Sequence, residues 1–182
     1  MNNDLMLDIE CLSNGNCASI VQIGACFFDR YTGSVNPLEV FSVNINIQSC
    51  IDAGLQVDGD TIKWWMDQVI KRGEPSWLKD PVPVETALGK FREFYYKINK
   101  SALVWSHATF DVVILSNAYR TIGQKTPYLY RNCRDIRTLV DLSGVHTKKE
   151  GEGDPKNHNA LDDCIYQVKY CVECFNKLKE GK

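Results

Sequence analysis

The chain has 182 residues, 44% of them hydrophobic, which is enough for one domain with a substantial core. A net charge of −2 and a pI near 5.9 exclude a histone-like or polybasic protein, but leave room for a nucleic-acid site with a local basic rim. Eight scattered cysteines and no secretory signal point to reduced, mostly buried thiols in a cytoplasmic protein, and no apolar run approaches the roughly 20 residues of a membrane span.

Taken in order, Leu5-Met6-Leu7-Asp8-Ile9-Glu10 reads as a buried strand, rich in residues suited to a pleated surface. Side chains alternate along a strand, so Leu5, Leu7 and Ile9 share one face while Asp8 and Glu10 share the other. Two neighbouring carboxylates on a core strand repel each other and resist desolvation unless a cation sits between them. Mg²⁺ or Mn²⁺ suits such hard oxygens. An edge strand with both acids in water is the alternative. Asn14-Gly15-Asn16 is a turn, 20–28 a second strand, Tyr31-Thr32-Gly33 another turn, and the alternation over 39–47 a third strand with a wetter face. These three predict an antiparallel meander.

Asp60-Thr61 is placed to cap a helix that carries Trp64 and Trp65. The two indoles project about 100° apart, so one is core and the other faces substrate or a partner. A proline-punctuated connection over 74–83 leads to a helix over 84–98 with an apolar face. The fourth strand, 102–106, runs through His107-Ala108-Thr109 into a helix that ends near Gly123. A fifth strand is expected over 128–133, a short helix over 135–142, a mobile polar loop over 147–157 and a last helix over 159–179. Cys171-x-x-Cys174 on that helix lacks a second Cys or His pair, which leaves zinc or redox chemistry there the minor reading. A meander followed by alternating helix and strand predicts one α/β domain over 1–182. Its mixed sheet has five to six strands, three antiparallel and then parallel, with helices on both faces.

Two further acids stand in telling places. Asp111 follows the fourth strand in His107-Ala108-Thr109-Phe110-Asp111, where strand hands over to helix and where ligands bind in open α/β sheets. Asp162 and Asp163 open the last helix after His158-Asn159-Ala160-Leu161, and periodicity does not choose between them. Either of Asp162 and Asp163 also fits a first-turn acid stabilised by the helix dipole, and His158 taken alone fits an ordinary loop histidine.

Asp-x-Glu on a first strand, Phe-Asp after a fourth and His-x₄-Asp opening a C-terminal helix, in this order, resemble the DEDDh 3′–5′ exonuclease superfamily of the RNase H-like fold. The resemblance spans 5–175. It implies that Asp8, Glu10, Asp111 and Asp163 bind two divalent cations, Mg²⁺ or Mn²⁺, and that His158 is the general base. The five-residue step from His158 in the family motif selects Asp163 over Asp162. Val57-Asp58-Gly59-Asp60-Thr61-Ile62-Lys63-Trp64-Trp65 and Cys133-Arg134-Asp135-Ile136-Arg137 resemble the branch that includes mycobacterial RNase AS and phage and prophage exonucleases. Cys11, Leu12, His107, Phe110 and Trp65 are the corresponding candidates for the substrate side. Two departures stand out: His107 replaces an Asn common in relatives, and Cys11-Leu12-Ser13-Asn14 lacks their Thr-Thr-Gly.

The implied activity is release of nucleoside 5′-monophosphates from the 3′ end of single-stranded RNA or DNA, by a homodimer. Two other readings keep this centre: action on short oligonucleotides or nucleotide-capped RNA ends, and a catalytically weak nucleic-acid-binding module.

Overall fold

The computed structural model describes residues 3–147 and 158–180. Five strands, β1 (Asp4–Cys11), β2 (Ile20–Phe28), β3 (Val35–Asn44), β4 (Leu103–Ser106) and β5 (Cys133–Asp135), form one mixed sheet in the order β3-β2-β1-β4-β5. β1, β2 and β3 pair antiparallel, while β4 and β5 run parallel to β1. The expected sheet of three antiparallel strands followed by parallel ones is what the chain forms.

Helices cover both faces. Leu5, Leu7 and Ile9 of β1 pack with α3 (Val84–Asn99) and α4 (Asp111–Thr121) on one side. Met6, on the opposite face, packs with α5 (Ile136–Ser143) and α6 (Ala160–Glu180), whose buried stripe includes Cys164, Val168, Cys171 and Cys174. The alternation that sends Leu5, Leu7 and Ile9 to the α3–α4 layer sends Asp8 and Glu10 toward α6. Cys171 and Cys174 are thus core thiols, and all eight cysteines are unpaired.

Several boundaries differ from those expected, each for a local reason. β3 begins at Val35 rather than 39, because an edge strand accommodates Pro37. It stops at Asn44, because the Asn46 side chain accepts from Ser49 N–H at 2.9 Å and starts a helix, α1 (Ile47–Asp52), that the alternating pattern concealed. Asp58 caps α2 (Gly59–Arg72) in place of Asp60, accepting from Thr61 N–H at 2.7 Å. Residues 128–132 do not form the fifth strand. Tyr128 is buried and Tyr130 is 90% exposed, with a 3₁₀ turn over Tyr130–Asn132, and pairing with β4 begins only at Cys133. Apart from Thr147, the loop expected over 147–157 lies outside the described residues. No helix among the described residues is long and apolar enough to cross a membrane.

Candidate active site

β1 carries Asp8 and Glu10 into a cleft of about 530 Å³, whose lining includes His107, Asp111, Arg137, His158, Asp163 and Gln167. Asp111 enters from the start of α4. β4 pairs with β1 only as far as Met6 and Trp105; beyond this, Ile9 N–H donates to Asp111 Oδ1 at 3.3 Å. His107 N–H donates to Asp111 Oδ2 at 2.9 Å, which fixes the carboxylate over the strand end. Asp163 reaches the cleft from the first turn of α6, whereas Asp162 points to solvent. Ligand atoms of Asp8, Glu10 and Asp163 lie within 4.8 Å of one another, and so do those of Asp8, His107 and Asp111. Asp8 belongs to both triads.

The approach of α6 is set from β2. Gly24 lies opposite Asp8 in the ladder, and a Cβ there would overlap the backbone of Ala160 and Leu161. Gln22 Oε1 accepts from Ala160 N–H at 2.8 Å, while its Nε2 donates to Asn44 Oδ1 at 2.8 Å. The Asn159 side chain accepts from Leu161 and Asp162 N–H at 3.1 and 3.2 Å, satisfying donors that a helix start leaves open. His158 immediately precedes this anchor, in a left-handed backbone conformation with φ 43°. Its ring packs edge-on against Trp64 and Trp65, with centroids 4.8 and 5.8 Å away.

Electrostatics indicate what the cluster lacks when bare. Burial, followed by the charges of Asp111, Glu10 and Asp163, holds the Asp8 carboxyl well above its ordinary range. Glu10 is pushed up to about 8 by burial and by Asp163 and Asp111. Burial also raises Asp111, against backbone hydrogen bonds from His107, Ile9 and its own N–H, and against Arg137. His107 is lowered to about 4 by burial and Arg137, so its imidazole is neutral at neutral pH. Buried carboxylate oxygens that repel one another, with Arg137 offsetting only part of that repulsion at Asp111, form a donor set suited to hard divalent ions. The residues present therefore fit a metal centre.

A carboxyl whose folded pKa lies above its unfolded value costs nothing below the unfolded pKa near 4, and its cost is complete above the folded one. Metal-free protein should therefore lose thermal stability as pH rises from about 4, and the part due to Glu10 should be complete above about 8. Glu10→Gln should raise the melting temperature at pH 8 and flatten that slope, each kcal/mol relieved amounting to about 2–4 °C. Added Mn²⁺ should raise wild type at the same pH. Calorimetry in EDTA showing equal slopes for both proteins would count against this account.

On the substrate side, Glu10, Cys11, Asn14, Trp64, Trp65 and Phe110 line an adjoining pocket of about 350 Å³. Trp65 is 5% exposed and donates its indole N–H to Cys11 O at 3.0 Å; Trp64, 41% exposed, is the open member of the pair. Leu12 turns the other way, into a cluster with Val21, Trp65 and Trp77. Arg137 lines the acidic cleft, whereas Arg134 donates to the carbonyls of Arg131 and Cys133, each at 2.8 Å. Sequence reasoning missed Gln167, whose Nε2 donates to Asp8 Oδ1 at 2.7 Å, and also Tyr166 and Tyr170 on the cleft wall. It missed Gln22 and Gly24 as well, although a Gln and a Gly inside the apolar run Ile20-Val21-Gln22-Ile23-Gly24-Ala25 were a usable signal.

The family model described as the 3′–5′ exoribonuclease Rv2179c-like domain matches residues 3–175. Among solved structures, Pop2p of S. pombe in its Mg²⁺- and Mn²⁺-bound form superposes with a TM-score of 0.56 at 13% identity, covering 99% of this chain and 85% of Pop2p. Cell-death related nuclease 4 (CRN-4) superposes with a TM-score of 0.54 at 14% identity, covering 94% of this chain and 63% of CRN-4. These likenesses are to the RNase H-like nuclease fold. No curated protein matches the chain.

Proposed function

We propose, from the premise that this chain belongs to the family of 3′–5′ exoribonuclease Rv2179c-like domains, that it trims single-stranded RNA or DNA from the 3′ end and releases nucleoside 5′-monophosphates. Membership makes it a hydrolase of the 3′–5′ exonuclease class, with nucleic acid as substrate. The observation that most supports the finer reading is the sharing of Asp8 between two ligand triads in one cleft. In this reading Asp8, Glu10, Asp111 and Asp163 hold two divalent cations, Mg²⁺ or Mn²⁺. Such a pair supplies charge neutralisation at the phosphoryl group, a water of lowered pKa and a stabilised leaving oxygen.

The chain's own groups do the rest. His158 takes the proton of the attacking water at an imidazole nitrogen, with its ring aimed by Trp64 and Trp65. Arg137 meets phosphate from the cleft wall. Phe110 and the open face of Trp64 stack bases beside Cys11 and Trp65, each such contact being worth about 1–3 kcal/mol.

The test is digestion of matched RNA and DNA oligonucleotides, labelled at the 5′ end, with Mg²⁺, Mn²⁺ or EDTA. A ladder shortening from the 3′ end, mononucleotide 5′-phosphates, and no products in EDTA are expected. Internal cuts, or activity persisting in EDTA, would overturn the reading. A length series separates trimming of long strands from a preference for short oligonucleotides or capped ends.

The same reading takes residues 1–182 as one cytoplasmic domain of the branch that includes RNase AS and the phage and prophage exonucleases, working as a homodimer. Met66, Val69 and Ile70 of α2 are exposed beside Ile51 and Val57, an apolar face suited to a second copy. Light scattering at micromolar concentration should give the dimer mass, and Ile70→Asp should lower it to that of the monomer. A monomer mass for wild type removes the homodimer.

A further inference from the structure

Of the two triads that share Asp8, one is all oxygen and the other contains an imidazole. His107 Nδ1 lies 4.0 Å from Asp111 Oδ2. That is too far for a hydrogen bond, yet it is within the roughly 3–4.2 Å that separates two donors each about 2.1 Å from one ion. The backbone that carries the imidazole is also held in place. His107 N–H is committed to Asp111 Oδ2, and His107 C=O accepts from Phe110 N–H at 2.7 Å and from Asp111 N–H at 3.2 Å. The turn from His107 to Asp111 is thereby closed on itself, with the ring at the cleft wall. On the far side of the shared ligand, Gln167 holds Asp8 Oδ1. Gln167 is 5% exposed, and its own Oε1 meets no hydrogen-bond donor among the described residues. The second triad is therefore backed by polar groups as a built site.

We propose that His107 is a direct nitrogen ligand in this second cation site, with Asp8 and Asp111, and that it makes the site selective for Mn²⁺ over Mg²⁺. The proposal rests on the reading of the carboxylate cluster as a two-cation centre, and it moves His107 from the substrate side to the metal. Mg²⁺ strongly prefers oxygen ligands and retained water, whereas imidazole suits transition ions. Exchanging one oxygen donor for an imidazole nitrogen therefore favours Mn²⁺. The Asp8–Glu10–Asp163 site, all carboxylate, has no such bias.

Pulsed EPR of the full chain, freed of metal and loaded with Mn²⁺, tests this without reference to activity. Wild type should bind two Mn²⁺ and show ¹⁴N modulation from a directly bound nitrogen. His107→Asn should lose that modulation, keep the first Mn²⁺, and weaken the second by about 10-fold or more. Its Mg²⁺ affinity by calorimetry should change far less. His158→Asn should keep the modulation, which excludes the other imidazole of the cleft as its source. Two bound Mn²⁺ without nitrogen modulation in wild type would overturn the role of His107 and leave the carboxylate centre standing. Modulation that persists in His107→Asn, or Mg²⁺ and Mn²⁺ affinities that fall equally, would also overturn it. Wild type that binds no cation would instead sink the two-cation reading, and this proposal with it.

Discussion

Asp8→Asn should lower single-turnover cleavage by about 10³-fold or more, the largest loss of any single carboxylate substitution in the cleft. Asp8 is the one residue common to both triads, so its replacement weakens both candidate cation sites at once. Glu10→Gln and Asp163→Asn each touch one triad and should cost less. Because the acids act as a unit, adding Asp163→Asn to Asp8→Asn should lower the rate little further. Asp162→Asn should stay near wild type, since that side chain faces solvent. The comparison is made at saturating Mn²⁺, with melting temperatures alongside to show that the variants fold. If Asp162→Asn loses activity while Asp163→Asn keeps it, the helix has been read one residue out of register.

His158→Asn should cost about 10²–10⁴-fold in the chemical step while leaving cation and substrate binding intact. Asparagine is the informative replacement because residue 158 sits at φ 43°, a region asparagine enters more easily than alanine. A neutral imidazole is the form that accepts a proton. The wild-type rate should therefore rise with pH through the imidazole pKa of the enzyme–substrate complex and then level. In His158→Asn that limb should disappear. A histidine that merely packs against Trp64 and Trp65 predicts near-wild-type rates and an unchanged profile. Single-turnover rates across pH, with metal saturating at each point, decide between the two.

The elements read correctly from sequence were those whose pattern is local. The apolar run of β1, the helical stripe of α6 and the turn after β2 are all written in neighbouring residues. Where tertiary pairing decides, the sequence misleads. Tyr128-Leu129-Tyr130 has the composition of a strand, but one tyrosine serves the core while β4 finds its partner five residues on, at Cys133. The acids were legible because two carboxylates on a buried strand demand an explanation. Gln167 was not, because a glutamine on a long helix is ordinary until α6 is laid across β1 and its amide meets Asp8. The choice of Trp64 over Trp65 as the open indole is likewise fixed by tertiary contacts, those of Trp65 with Cys11 O and with the Trp77 ring, which no periodicity within α2 reveals.

Gly24 has no group able to take part in chemistry, yet α6 can reach Asp8 only because position 24 carries no side chain. A mutational scan scored on activity alone would rank Gly24 with the acids. Scored on abundance, the two classes should part company. Substituting an acid relieves repulsion and leaves the fold intact, while any side chain at 24 forces the helix off the sheet and exposes the apolar layer beneath. Natural variation should therefore be narrower at this position than at many residues lining the cleft, and a redesign for a new substrate would have to treat it as fixed.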